Sequence, residues 1–88
     1  MDIKEIQERN YEATVKRGQI TKETKDIQFI NKIFDEVDEL HSSNYEKNLD
    51  PKELADIILV CLSFAKHKNI DIIKVMQEKV IFNENRKD

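Results

Sequence analysis

The chain has 88 residues, with 15 basic and 18 acidic side chains, a net charge of −3, one cysteine, one glycine and one proline. One small domain over residues 1–88 is expected, an internal disulfide is excluded, and the charge balance argues against a nucleic-acid partner held by phosphate neutralisation. The longest apolar run, residues 57–62, is far below the roughly 20 residues of a membrane span. The opening "MDIKEIQERN" also lacks the apolar core of a signal peptide, so a cytoplasmic protein without a membrane partner is expected.

No sustained alternation of polar and apolar residues and no Asn-Gly turn is present. The chain therefore reads as all-α, with four helices forming a bundle. A domain this short buries only about 60% of its unfolded surface, which points to completion of the bundle by dimerisation.

The first helix is expected over 3–17, with a weak apolar side from Ile3, Ile6, Asn10, Ala13 and Val15. Gly18 should end it, because glycine enters the left-handed region without steric cost. The second helix is expected over 22–43, capped by Thr21 or Thr24. Ile27, Ile30, Ile33, Phe34, Val37 and Leu40 recur on it at three- and four-residue spacing. The stretch "SSNYEKNL" follows as a polar linker.

Asp50 and Pro51 open the third helix, expected over 51–68, with proline at its usual first position. Its run "LADIILVCLSFA" is apolar on most sides, so it should be central, with Cys61 in the core. Asp71 should cap a fourth helix over 71–86, with Ile72, Ile73, Met76 and Val80 facing inward. His41 and His67 are expected at helix C-termini, where positive charge is favourable. Tyr11, Phe29, Tyr45 and Phe82 could stack on a base, although core or interface packing suits Phe29 and Phe82 better.

Three constellations carry chemistry. Glu53 and Asp56 stand at i, i+3 beside Ile57, Val60 and Phe64, where an ionised carboxylate is costly without a cation or donors. The plain alternative is that Glu53 closes a capping box with Asp50. Glu36 and Glu39 repeat the i, i+3 spacing and flank the apolar stripe of the second helix; a solvated acidic face is the alternative. Packed as antiparallel neighbours, these helices can bring the two pairs together. Four clustered carboxylates repel one another and raise each other's pKa. Mg²⁺, with Mn²⁺ as a substitute, suits such an all-oxygen set. Third, Lys79, Asn83 and Arg86 lie at i, i+4, i+7. They form either a phosphate-binding stripe or a set of cations complementing a helix end.

In order, Glu36-Val37-Asp38-Glu39, Glu53-Leu54-Ala55-Asp56 and Lys79 through Asn83 to Arg86 make this sequence resemble the MazG-like all-α nucleotide pyrophosphohydrolases. The resemblance spans about residues 27–87. It implies a helical bundle that forms a homodimer or homotetramer. It also implies Mg²⁺-dependent cleavage of a nucleoside triphosphate between the α- and β-phosphates. Glu36, Glu39, Glu53 and Asp56 would hold metal, and Glu36 or Glu39 would orient or deprotonate the water. Lys79, Asn83 and Arg86 would meet the nucleotide. Many members carry Glu directly before the first motif, where this chain has Asp35.

With one glycine, no phosphate-cradling glycine loop is possible, and no zinc spacing or Cys/His nucleophile pair occurs. The remaining alternative is a non-catalytic helical module for self-association or partner binding, holding nucleotide or metal without turnover.

Overall fold

The computed structural model describes residues 1–46 and 48–87, and the side chain of residue 46 is left out of account. Among the described residues it is all-helical: α1 (Ile3–Lys16), α2 (Asp26–Glu46), α3 (Pro51–His67) and α4 (Ile72–Glu84). No helix is long and apolar enough to cross a membrane.

The helix ends follow from local chemistry. The Asp2 carboxylate accepts the Glu5 N–H at 2.8 Å and starts α1. At its other end, Gly18 sits at φ +75°. Gly18 N–H reaches Val15 O and Gln19 N–H reaches Thr14 O, the paired bonds of a Schellman turn. Asp50 caps α3 by accepting the Lys52 N–H at 3.0 Å, with Pro51 in the first turn. Asn69, at φ 57°, ends α3 as Gly18 ends α1, with Ile70 N–H on Ala65 O. Asp71 accepts the Lys74 N–H at 3.2 Å and opens α4.

Helix α2 departs from expectation at both ends. Thr21 and Thr24 do not cap it. Thr24 Oγ1 accepts the Thr21 N–H, and Thr21 Oγ1 accepts the Glu23 N–H, so both hydroxyls stabilise the preceding loop. The helix begins later, and Gln28 Oε1 reaches back to the Lys25 N–H at 2.8 Å, half of a capping box. At the far end, residues 44–46 continue the helix past its expected end at 43, into the expected linker. Lys47 of that linker lies outside the described residues, as does Asp88 at the end of the expected domain.

Helix α3 is central, as its all-round apolarity implies: α1, α2 and α4 all pack on it. Phe29 stacks on Phe64 with centroids 4.8 Å apart and planes within 5°. That pair joins the start of α2 to the end of α3, so the two helices run antiparallel. Against α1 the contact is largely polar. Gln7 Nε2 donates to Leu62 O at 2.7 Å, and Asn10 Nδ2 donates to Ser63 Oγ at 3.0 Å.

His67 pins three segments together. Its Nε2 lies 2.9 Å from Thr24 O, which can only accept, so Nε2 carries the proton. Its Nδ1 therefore accepts from Tyr11 Oη at 2.8 Å. The ring also packs on Phe29. His67 is the last residue of α3, at a helix C-terminus as expected, and there it also binds the loop and α1 to α3. His41, expected at a helix end, lies in the interior of α2.

Other expectations fail on burial. Among the described residues the buried apolar set is Ile20, Phe29, Leu62 and Ala65, and no large side chain is fully buried. Cys61 is exposed, not core. Ile72 and Ile73 of α4 are half-buried against α3, but Met76 and Val80 are exposed, as is Phe82. Helix α4 carries apolar residues on several sides and packs on α3, and its Val75, Met76, Val80, Ile81 and Phe82 are exposed in one chain.

Replacing His67 with alanine removes two half-buried hydrogen bonds and a ring contact. We expect a loss of about 2–3 kcal/mol in denaturant-unfolding free energy. An unchanged midpoint would contradict the pin.

Candidate metal centre

The α2–α3 contact brings acids together. Phe29 and Glu36 share one side of α2, seven residues or two turns apart. Burying the aromatic against Phe64 therefore buries the carboxylate too. On α3, Glu53 and Asp56 stand about three and two turns before Phe64, on the side that meets α2. Antiparallel packing places them opposite Glu36, and one carboxylate oxygen from each of Glu36, Glu53 and Asp56 lies within 4.8 Å of the others.

Glu36 is only 6% exposed, and its Oε2 is buried without a hydrogen-bond partner. Glu53 Oε2 is in the same condition. The capping box that would have used Glu53 is not formed, because its oxygen faces the cluster instead of supplying the Asp50 N–H. Asp56 is exposed and completes the trio from the solvent side. Even at an effective dielectric of 20, two full charges so close repel by roughly 3 kcal/mol, less where one of them is solvated.

One cation answers this charge. Lys32 Nζ lies 2.9 Å from Glu36 Oε1, one turn away on α2. The hydrogen bond to Glu36 holds the Lys32 ammonium above its ordinary pKa, aided by the charges of Glu36, Glu39 and Asp35. A single half-exposed ammonium opposes three carboxylates and leaves both orphaned oxygens unmet.

Glu39 lies beyond the trio, on the exposed rim one turn after Glu36. Its carboxyl is held above the ordinary range, first by the negative charge of Glu36. Lost hydration, a hydrogen bond with Glu36 and the charge of Glu53 add to this, while Lys32 opposes it. The charged form is thus penalised in the folded chain. The penalty is complete above the raised pKa, fades as pH falls from there toward the usual glutamate range, and is gone below that range.

Glu36 and Asp56 of the trio border a cavity of about 600 Å³ between α1, α2 and α3. Glu36, Asp56 and Lys32 line its acidic end; Asn10, Gln28 and Phe29 line its body. Arg17 also reaches it, and no α4 residue does. Lys79 and Asn83 lie on α4, and Arg86 lies past its end. Lys79 Nζ sits 4.6 Å from the centroid of the Phe82 ring. The three acids thus converge in one chain, and the Lys79–Asn83–Arg86 stripe stands outside their cavity. Of the aromatic candidates, Phe29 is core and Tyr11 is held by His67, while Tyr45 is exposed.

Lys32 and the polar wall of the cavity escaped the sequence reading. The i, i+4 spacing of Lys32 and Glu36 could have revealed the pair. Asn10 and Gln28 carry no motif, and only the packing of α1 brings them to the site. No protein family matches the chain, and neither a curated protein nor a solved structure does.

Two buried carboxylate oxygens without donors, in an all-oxygen set, fit a hard dication such as Mg²⁺. Binding to the folded state alone stabilises it, by about 2.7 kcal/mol at a hundredfold excess over Kd. We expect Mg²⁺ to raise the melting temperature of the wild type and leave that of Glu36→Gln nearly unchanged. Equal shifts in both would place the ion elsewhere. By carboxyl NMR, Glu39 should titrate above an ordinary glutamate without Mg²⁺ and move down when Mg²⁺ is added. A Glu39 titration indifferent to Mg²⁺ would contradict the cluster.

Proposed function

We propose that the chain hydrolyses nucleoside triphosphates between the α- and β-phosphates, releasing nucleoside monophosphate and pyrophosphate. The observation that carries this reading is the buried, unpartnered oxygen of Glu36, which converges with Glu53 and Asp56 at the mouth of a nucleoside-sized cavity. The resemblance in the ordered acidic motifs supports the same reaction.

In this reading Glu36, Glu53 and Asp56 hold Mg²⁺, with Glu39 at the rim. When bound, the ion offsets triphosphate charge and makes water a usable nucleophile near neutral pH. Glu39, on the rim one turn after Glu36, would orient or deprotonate the attacking water. Lys32, paired with Glu36, and Arg17 line the cavity wall, from which both would face phosphate oxygens of the substrate. Phe29 and the amides of Asn10 and Gln28 offer the base an apolar surface and hydrogen-bonding groups. The part that the resemblance gives to Lys79, Asn83 and Arg86 requires α4 to approach the phosphates from outside this cavity.

The test is product analysis with a panel of canonical nucleotides and Mg²⁺. We expect pyrophosphate and monophosphate in equal amounts, lost on Glu39→Gln or Asp56→Asn while circular dichroism stays helical. Orthophosphate with diphosphate would mean a different scissile bond. Mg²⁺ binding without turnover would favour the non-catalytic reading, a helical module that holds nucleotide or metal.

A further inference from the structure

The two oxygens of Glu36 are in different states. Oε1 lies 2.9 Å from Lys32 Nζ. Oε2 is buried and has no partner. The side chain that carries them is only 8% exposed, so its charge depends on what the protein and its ligands bring to it. A carboxylate with a cation on each oxygen is a bridge, and paired dications about 3.5–4 Å apart can share a ligand in this way. Here an ammonium on the same helix already stands on one of the two oxygens.

Lys32 suits that place. It precedes Glu36 by four residues, so one turn of α2 sets ammonium against carboxylate. Its side chain is 55% exposed, and with Glu36 and Asp56 it lines the cavity. An ammonium has three N–H donors. One serves Glu36 Oε1, which leaves the others for acceptors in the cavity. The hydrogen bond to Glu36 holds Lys32 above its ordinary pKa, so the charge is kept through the neutral range.

The charges lead to the same count. Glu36, Glu53 and Asp56 bring three carboxylates whose oxygens lie within 4.8 Å of one another. One ammonium and one dication match their charge. A second dication would leave a partly buried site with an excess of positive charge, and unmatched buried charge is costly. Oε2 of Glu36 and Oε2 of Glu53 are the buried oxygens that still lack a partner. Glu39, which could have enlarged the set, stays on the rim.

We propose that Lys32 is a tethered second cation: it holds Glu36 Oε1, where a two-ion site would place a metal, and so limits this centre to one dication per chain. Oε2 of Glu36, with Glu53 and Asp56, is left for that ion. Lys32 stays on Oε1 and offers its remaining N–H groups to an anionic ligand in the cavity. The inference rests on the dication reading of the three acids and not on nucleotide hydrolysis.

The test counts Mn²⁺ bound to the full chain by electron paramagnetic resonance, without nucleotide. The wild type should bind one Mn²⁺ per chain with the spectrum of an isolated ion. Glu36→Gln should bind it about tenfold more weakly or worse. Lys32→Met removes the charge and keeps a long stem. It should bind two Mn²⁺ per chain and show the exchange-coupled signal of a close pair. Should circular dichroism find this variant unfolded, the wild-type count decides alone. Two Mn²⁺ on the wild type would overturn the tethered cation and leave the dication reading standing, whereas none would end both. A Mn²⁺ held equally by Glu36→Gln lies elsewhere and overturns the proposal, as does a folded Lys32→Met chain that still takes a single ion.

Discussion

Three negative side chains held together at a helix contact are the constraint on which the rest of this structure depends. Glu36 is buried because it shares a side of α2 with Phe29, and Phe29 must stack on Phe64 to give the small domain a core. Antiparallel packing then sets Glu53 and Asp56 opposite it. Removing water from these oxygens without supplying donors is costly, and Lys32 answers only part of the charge. The contact that stabilises the fold thus gathers three carboxylates, two of whose oxygens have no donor.

The polar contacts of α1 serve the same region. Gln7, Asn10 and Tyr11 tie α1 to α3 by hydrogen bonds, and a cavity lies beside the acids. Through Tyr11 and Thr24, His67 fixes the loop that closes one end of that cavity. A dry apolar contact in its place would fill the space that a nucleoside would need. The domain accordingly keeps little apolar core of its own, and much of its apolar surface is left on the face opposite α1.

Much of this was legible in the residues. Gly18, Asp50 with Pro51, and Asp71 mark helix ends through backbone chemistry that acts locally, and each stands where its side chain or its freedom at positive φ is used. The i, i+3 spacing of the acids, with the order of the two helices, was enough to foresee that Glu36, Glu53 and Asp56 converge, whereas Glu39, expected among them, stays on the rim. What could not be read depended on the choice between two apolar faces of one helix. The stripe Ile27–Ile30–Phe34–Val37 has the stronger periodicity, yet α2 turns Phe29 and Glu36 inward and leaves that stripe outside. The same ambiguity placed Cys61, Met76 and Val80 in a core they do not join. Thr21 and Thr24 misled because hydroxyls that cap helices also stabilise turns, and Lys32 was missed because its meaning depends on Glu36 being buried.

The central claim is that Glu36, Glu53 and Asp56 form a dication site. Its most direct test is anomalous scattering from crystals grown with Mn²⁺. The account predicts an anomalous peak between these three carboxylates, within bonding distance of Glu36 and Glu53. Crystals with Mn²⁺ bound only at other positions, or with the three carboxylates turned apart and no peak between them, would contradict it.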